Sequence, residues 1–233
     1  VRQLRIDTSK LVGALALASV LLVLASLAGQ FSRFVLGHDY LKGFVPLFNL
    51  DREGNIPTFF ATLLLLSCAL LLALIAHLHA REGRPFLLHW RVLAIGFLCM
   101  AFDEGFRVHE LLIDPARTAL GAAATGAFYF AWTVPALVLI AGLGLFFLRF
   151  LAHLPASTRW RFVVAGALYL GGAVGFELIG GAYAARQGTD TLAYSLITTV
   201  EESLELAGSI AFLRALLLYF AQNYGAVQIG VER

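Results

Sequence analysis

Charge is what these 233 residues have least of. Lys, Arg, Asp and Glu together make 14% of the chain, while 60% is hydrophobic. Soluble domains carry roughly 25% charged residues. With a mean hydropathy of +0.82, a water-soluble fold is excluded and the bilayer is the expected solvent. Cysteine is also scarce: Cys68 and Cys99 are the only two, each inside an apolar run. That excludes a disulfide framework and any paired-cysteine zinc site. The chain has no Gly-rich phosphate loop, nucleophile elbow, Asp-rich prenyl-diphosphate motif or nucleic-acid signature. No linker is long enough to separate two domains, so residues 1–233 read as a single transmembrane domain.

What is there is a series of apolar runs. A membrane helix needs about 20 mostly apolar residues. Six segments qualify, at 11–36, 57–79, 91–113, 126–150, 161–185 and 192–220. Pro57 falls in the first turn of the second, where its missing N–H costs little. "REGRP", "DPARTALG" and "LPASTRW" separate later runs. The expected fold class is all-α, a polytopic bundle of six transmembrane helices.

Basic residues set the orientation. Arg2, Arg5, Lys10, Arg81, Arg84, Arg91, Arg149, Arg159, Arg161 and Arg233 fall on one side, against Lys42, Arg52, Arg117 and Arg186 on the other. The excess predicts cytoplasmic N and C termini in a bacterial inner membrane. "LASLAGQ" resembles a signal-peptidase site, but its apolar run continues to Leu36, so an uncleaved anchor is expected. The loop "GHDYLKGFVPLFNLDREGN" is expected to lie on the outer interface or to cap the bundle.

Seven of the 15 acidic residues fall inside expected spans: Asp103, Glu104, Glu110, Glu177, Glu201, Glu202 and Glu205. Each charge at a helix centre costs about 2.5–3.5 kcal/mol. Unpaired, the seven would cost on the order of 20 kcal/mol, so burial, protonation, ion pairing or a bound cation must offset them. Depth brings them together: the third and fifth spans run outward and the sixth inward, so all three carry their carboxylates into one outer layer. At about 100° per residue, Asp103, Arg107 and Glu110 fall in one arc, with Glu104 and His109 flanking it on opposite sides. Glu201, Glu202 and Glu205 share another arc. Gly171 and Gly175 form a GxxxG that would bring the fifth helix close to its neighbours, within the bundle or against another copy in a homo-oligomer.

Three readings follow. The first is a divalent metal site (Fe, Mn or Zn), which with turnover would make a metal-dependent membrane enzyme, because hard and borderline cations take carboxylate and imidazole ligands. Its expected ligands are Glu104, Glu110, Glu177, Glu201, Glu205 and His109, supported by Asp103, Arg107 and Glu202. Arg107 would be tied to Asp103 or Glu110. Helical bundles build such sites from Glu and Glu-x-x-His pairs, and no Glu-x-x-His occurs here. The second is a proton- or cation-coupled transporter or channel, for which Ser67, Cys68, Tyr169 and Ser209 are thin material. The third is a structural subunit with a buried ion-pair network. His77, His79, His89 and His153 read as residues of the inner interface rather than as haem ligands. The bilayer is the expected partner, nucleic acid is not, and the substrate is open.

Three phrases, "DREGNIPTFF", "DEGFRVHE" and "VEESLELAG", resemble an uncharacterised family of bacterial multi-pass membrane proteins. The resemblance runs from Asp51 to Gly208. It implies that the acidic phrases belong to the family's pattern, and it implies no reaction, substrate or cofactor.

Overall fold

The computed structural model describes residues 7–225. Arg2, Arg5 and Arg233, which contribute to the expected orientation, lie outside them. Every regular element among the described residues is helical.

Helix α1 (Thr8–Phe34) starts at Asp7, whose carboxylate accepts from the N–H groups of Ser9 and Lys10. This satisfies two of the free amides of the first turn. A short helix, α2 (Phe44–Phe48), interrupts the following loop. Asn55 then caps α3 (Ile56–Glu82), with Pro57 in its first turn and Gly83 closing it in the left-handed conformation. Helix α4 (Leu87–Phe106) returns along α3, and α5 (Ile113–Leu120) lies in the next connection. Helix α6 (Thr133–His153) leads to α7 (Ala156–Leu170). The latter runs through a π turn at Gly171–Phe176 into α8 (Glu177–Gln187). Thr191 caps the last and longest helix, α9 (Leu192–Tyr224).

Five of these rods are long and apolar enough to cross a membrane: α1, α3, α6, α7 with α8, and α9. Helix α4 has 20 residues but includes Arg91, Asp103 and Glu104. Leu21, Leu24, Phe59, Leu70, Val138 and Leu145 are exposed around the rods, as lipid-facing residues should be. The chain is an integral membrane protein.

Helix α9 is the axis, packing on α1, α3 and α7, while α6 is peripheral. Leu72, Ile75 and Leu216 are fully buried among Trp90, Phe150, Phe162 and Tyr219. In lipid such packing gains dispersion energy rather than hydrophobic energy, because the tails outside are as apolar as leucine. Close backbone approach therefore matters most. A Cβ on Gly208 would lie 2.6 Å from the Tyr169 amide nitrogen, and one on Gly172 would lie 2.6 Å from the Glu201 carbonyl oxygen. These two glycines lock α7 and the π turn against α9. The expected pair is not the one that packs: nothing lies within 4 Å of a Cβ on Gly171, and Gly175 meets only the Leu170 carbonyl of its own segment, at 3.9 Å.

The loop after α1 caps the bundle. Gln30 Nε2 donates to Asn49 Oδ1 at 2.7 Å, the Leu50 amide donates to Ser26 Oγ at 3.1 Å, and Asn55 Nδ2 donates to the Asn49 carbonyl at 2.6 Å. These bonds fold "NLDREGN" inward. At the opposite end His79 sits between the hydroxyls of Tyr219 at 3.4 Å and Tyr224 at 2.5 Å, against Trp90. His89 stacks on Phe146 and Phe150.

Candidate functional site

The third expected span ends early. Helix α4 stops at Phe106, Arg107 adopts a left-handed conformation (φ 52, ψ 44), and Val108–Leu112 form a 3-10 turn. Asp103, Arg107 and Glu110 therefore do not share a helical arc. The cause is local competition for hydrogen bonds. The Asp103 carboxylate accepts from the His109 amide at 2.6 Å and faces His109 Nδ1 at 3.0 Å, which pulls the chain back over its own helix end. A left-handed non-glycine residue costs about 1–3 kcal/mol. Here it turns the guanidinium outward to Glu53, with Nε 2.8 Å from Oε2. Arg107 also lies 3.7 Å from Glu110. Of the two expected ties, the one to Glu110 is present and the one to Asp103 is not, and Glu53 is a closer, unexpected partner.

His109, expected to flank the site, sits further in. Its ring packs on Trp132 with centroids 4.6 Å apart, and Trp132 Nε1 donates to Glu177 Oε1 at 2.8 Å. The loop carrying Trp132 reaches Glu177 because Gly181 has no side chain: a Cβ there would stand 3.1 Å from the Ala127 carbonyl. Glu177 opens α8 directly after the π turn, a local feature common at functional sites. Its carboxyl lies within hydrogen-bonding reach of Glu201 on α9. One oxygen of Glu201, Oε2, is buried with no hydrogen-bond partner. One turn further along α9, the Glu205 carboxyl faces the Tyr169 hydroxyl. Glu104 lies close enough to feel the charges of Glu53, Asp103 and His109, and it acts in turn on Glu202 and Glu205.

Two carboxylates from the capping loop join from above. Arg107 holds Glu53. Asp51 has an open edge, yet burial of its carboxyl pushes it up to about 6, with the Glu177 charge adding and Arg33 subtracting. Burial also raises Glu53, and Arg107 opposes that rise. Burial alone would lower His109, but its hydrogen bond to Asp103 and the charge of that carboxylate outweigh burial and raise it.

The cations that act on these carboxyls already have partners. Arg107 serves Glu53 and Glu110, His109 serves Asp103, and Arg33 pairs with Asp190 at 2.6 Å. Asp51, Glu104, Glu177, Glu201, Glu202 and Glu205 have no cation at ion-pair distance among the described residues. No three His, Cys, Asp or Glu side chains among the described residues are grouped so as to hold a metal ion. The residues approach in pairs, not as a coordination cage. Asp51, Glu53, Trp132 and the Tyr169–Glu205 contact are additions to the expected set. The only sequence signal for the first two was charge in "DREG", and Trp132 had none.

Helical rods enclosing polar groups at one end define the class: a multi-helical integral membrane protein with ionisable side chains inside the bundle. Within that class, the chain belongs to the family described as domain of unknown function DUF8692, which matches residues 14–220. Comparison with curated proteins and with solved structures returns no match.

Proposed function

We propose that the chain is a six-span protein of a bacterial inner membrane, with α4 as the sixth span and both termini cytoplasmic. Its outer-half carboxyls form a cation-binding chamber. The observation that carries this reading is the imbalance of charge partners: six carboxyls without a cation, beside three cations already committed. The buried, unpartnered Oε2 of Glu201 supports it independently. Two carboxyls within hydrogen-bonding reach do not both stay ionised. A proton held between Glu177 and Glu201 lets the chamber persist without its ligand, and an incoming cation takes that proton's place.

A divalent cation is the leading ligand, because the donors on hand are carboxylates and one imidazole. The paired arrangement requires Glu104, Glu177, Glu201 and Glu205 to close around it. Transport across the membrane is not favoured. Leu64, Cys68, Leu72, Trp90, Phe212 and Leu216 pack between the acidic residues and the other end of the bundle, which supports a site serving the outer side alone.

The test is a thermal-shift titration of detergent-purified protein with Mn, Fe or Zn, alongside metal analysis. A cation at a hundred times its Kd stabilises the folded state by about 2.7 kcal/mol. A saturable upward shift for wild type that Glu201→Gln/Glu205→Gln abolishes is the expected result. Metal-free protein with no shift from any of the three would refute the reading.

A further inference from the structure

A groove of about 750 Å³ runs between α1, α7 and α9, and its far end reaches Ser203, next to the acidic residues of α9. Apart from Ser19, its wall is apolar along α1 from Val12 to Leu24, and it is apolar along α9 from Leu206 to Ala211. Those thirteen residues of α1 give it a length of about 18 Å at 1.5 Å per residue. Val20 and Leu24 on its flank are exposed, so the groove opens sideways to the bilayer. Its polar end lies where α1 and α7 begin and α9 ends. There Arg161 and Arg214 line it beside Trp160. No acidic residue lines it, and neither arginine has an ion-pair partner among the described residues. One guanidinium nitrogen of Arg161 is buried with no hydrogen bond.

An isolated buried guanidinium nitrogen is costly unless a partner completes it. Two arginines at the head of a lipid-wide apolar slot match an anion carrying an acyl tail. Basic pockets between membrane helices on the cytoplasmic side take acidic lipid headgroups in this way. We propose that the groove is a binding site for one anionic phospholipid. The headgroup phosphate lies between Arg161 and Arg214, and one acyl chain lies along α1 and α9 toward Leu24. Trp160, 65% exposed, sits at the level where indole rings favour the membrane interface. Guanidinium forks suit phosphate oxygens because they donate two parallel N–H bonds.

The test is native mass spectrometry of the detergent-purified full chain, titrated with phosphatidylglycerol or with phosphatidylcholine of the same tails. The first lipid retained should be phosphatidylglycerol, preferred by about tenfold or more, given about 1 kcal/mol for each arginine. Arg161→Gln/Arg214→Gln should remove the preference. Arg91→Gln/Arg149→Gln, at the same end but outside the groove, should keep it. Ala207→Trp fills the slot while leaving both arginines, and it should lose the bound lipid with helicity unchanged by circular dichroism. Equal retention of the two lipids by wild type would overturn the proposal. So would a preference that survives Arg161→Gln/Arg214→Gln, one that Arg91→Gln/Arg149→Gln reduces as much, or lipid still bound by folded Ala207→Trp.

Discussion

His109 and Asp103 show how one residue pair redirects a membrane helix. The carboxylate takes both the backbone and the ring N–H of His109, so the pair is worth most when the imidazole is charged. The folded state raises His109 above its ordinary 6.5. Its contribution to stability is therefore full below about 6.5 and is lost as pH rises through the higher folded value. The melting temperature of wild type should fall over that window, and His109→Gln should flatten this component; an unchanged slope in the variant would count against the pair. Asp51 acts in the opposite sense. Its carboxyl is raised to about 6, so ionising it above that pH opposes folding, and stability is regained as pH falls through about 6. Asp51→Asn should therefore stabilise more near pH 7.5 than near pH 5, and lose its effect only as pH falls toward the ordinary 3.8, as read by thermal melts across that range. Glu201→Gln should change stability by less than about 1 kcal/mol, since an amide can replace a protonated carboxyl facing Glu177. A much larger loss would favour an ionised Glu201.

At the scale of elements, the helices were legible and their interruptions were not. Long apolar runs located α1, α3 and α9 to within a few residues, because twenty apolar residues in sequence have few other fates. The stop at Arg107 was invisible. Nothing in "DEGFRVHE" marks a left-handed arginine, and the conformation is held by tertiary partners, Glu53 above all. The carboxylates of the capping loop were missed because their segment is drawn in by Gln30, which donates to Asn49, and by Ser26, which accepts from the Leu50 amide, two polar residues in an otherwise apolar helix. The expected Gly171–Gly175 pair makes no close contact, which falls instead to Gly172 and to Gly208 on α9. Spacing cannot say which glycine faces a neighbour once a π turn shifts the helix by a residue. This makes a sharp contrast. Gly172→Ala and Gly208→Ala should each destabilise the protein by about 1–3 kcal/mol, since a Cβ at either meets backbone at 2.6 Å. Gly171→Ala should be neutral or slightly stabilising by thermal melt, with open space around its Cβ.

Across the whole molecule, polar chemistry gathers at one end and packed aromatic residues at the other. Helix α9 passes through both, with Glu201 and Glu205 near its start and Tyr219 and Tyr224 near its end, tied to His79. Helix α6 is held mainly at its two ends, by Trp132 to Glu177 and by Phe146 and Phe150 to His89. Its middle borders an apolar cavity of about 380 Å³ that reaches Tyr169. The central claim concerns the carboxyls left without cations, and proton counting tests it most directly. Weakly buffered, detergent-solubilised protein at pH 7 is titrated with Mn while released protons and bound metal are measured together. Saturable release of about one proton or more per bound cation, lost in Glu177→Gln/Glu201→Gln, is the predicted result. Cation binding without proton release, or no binding at all, would contradict it.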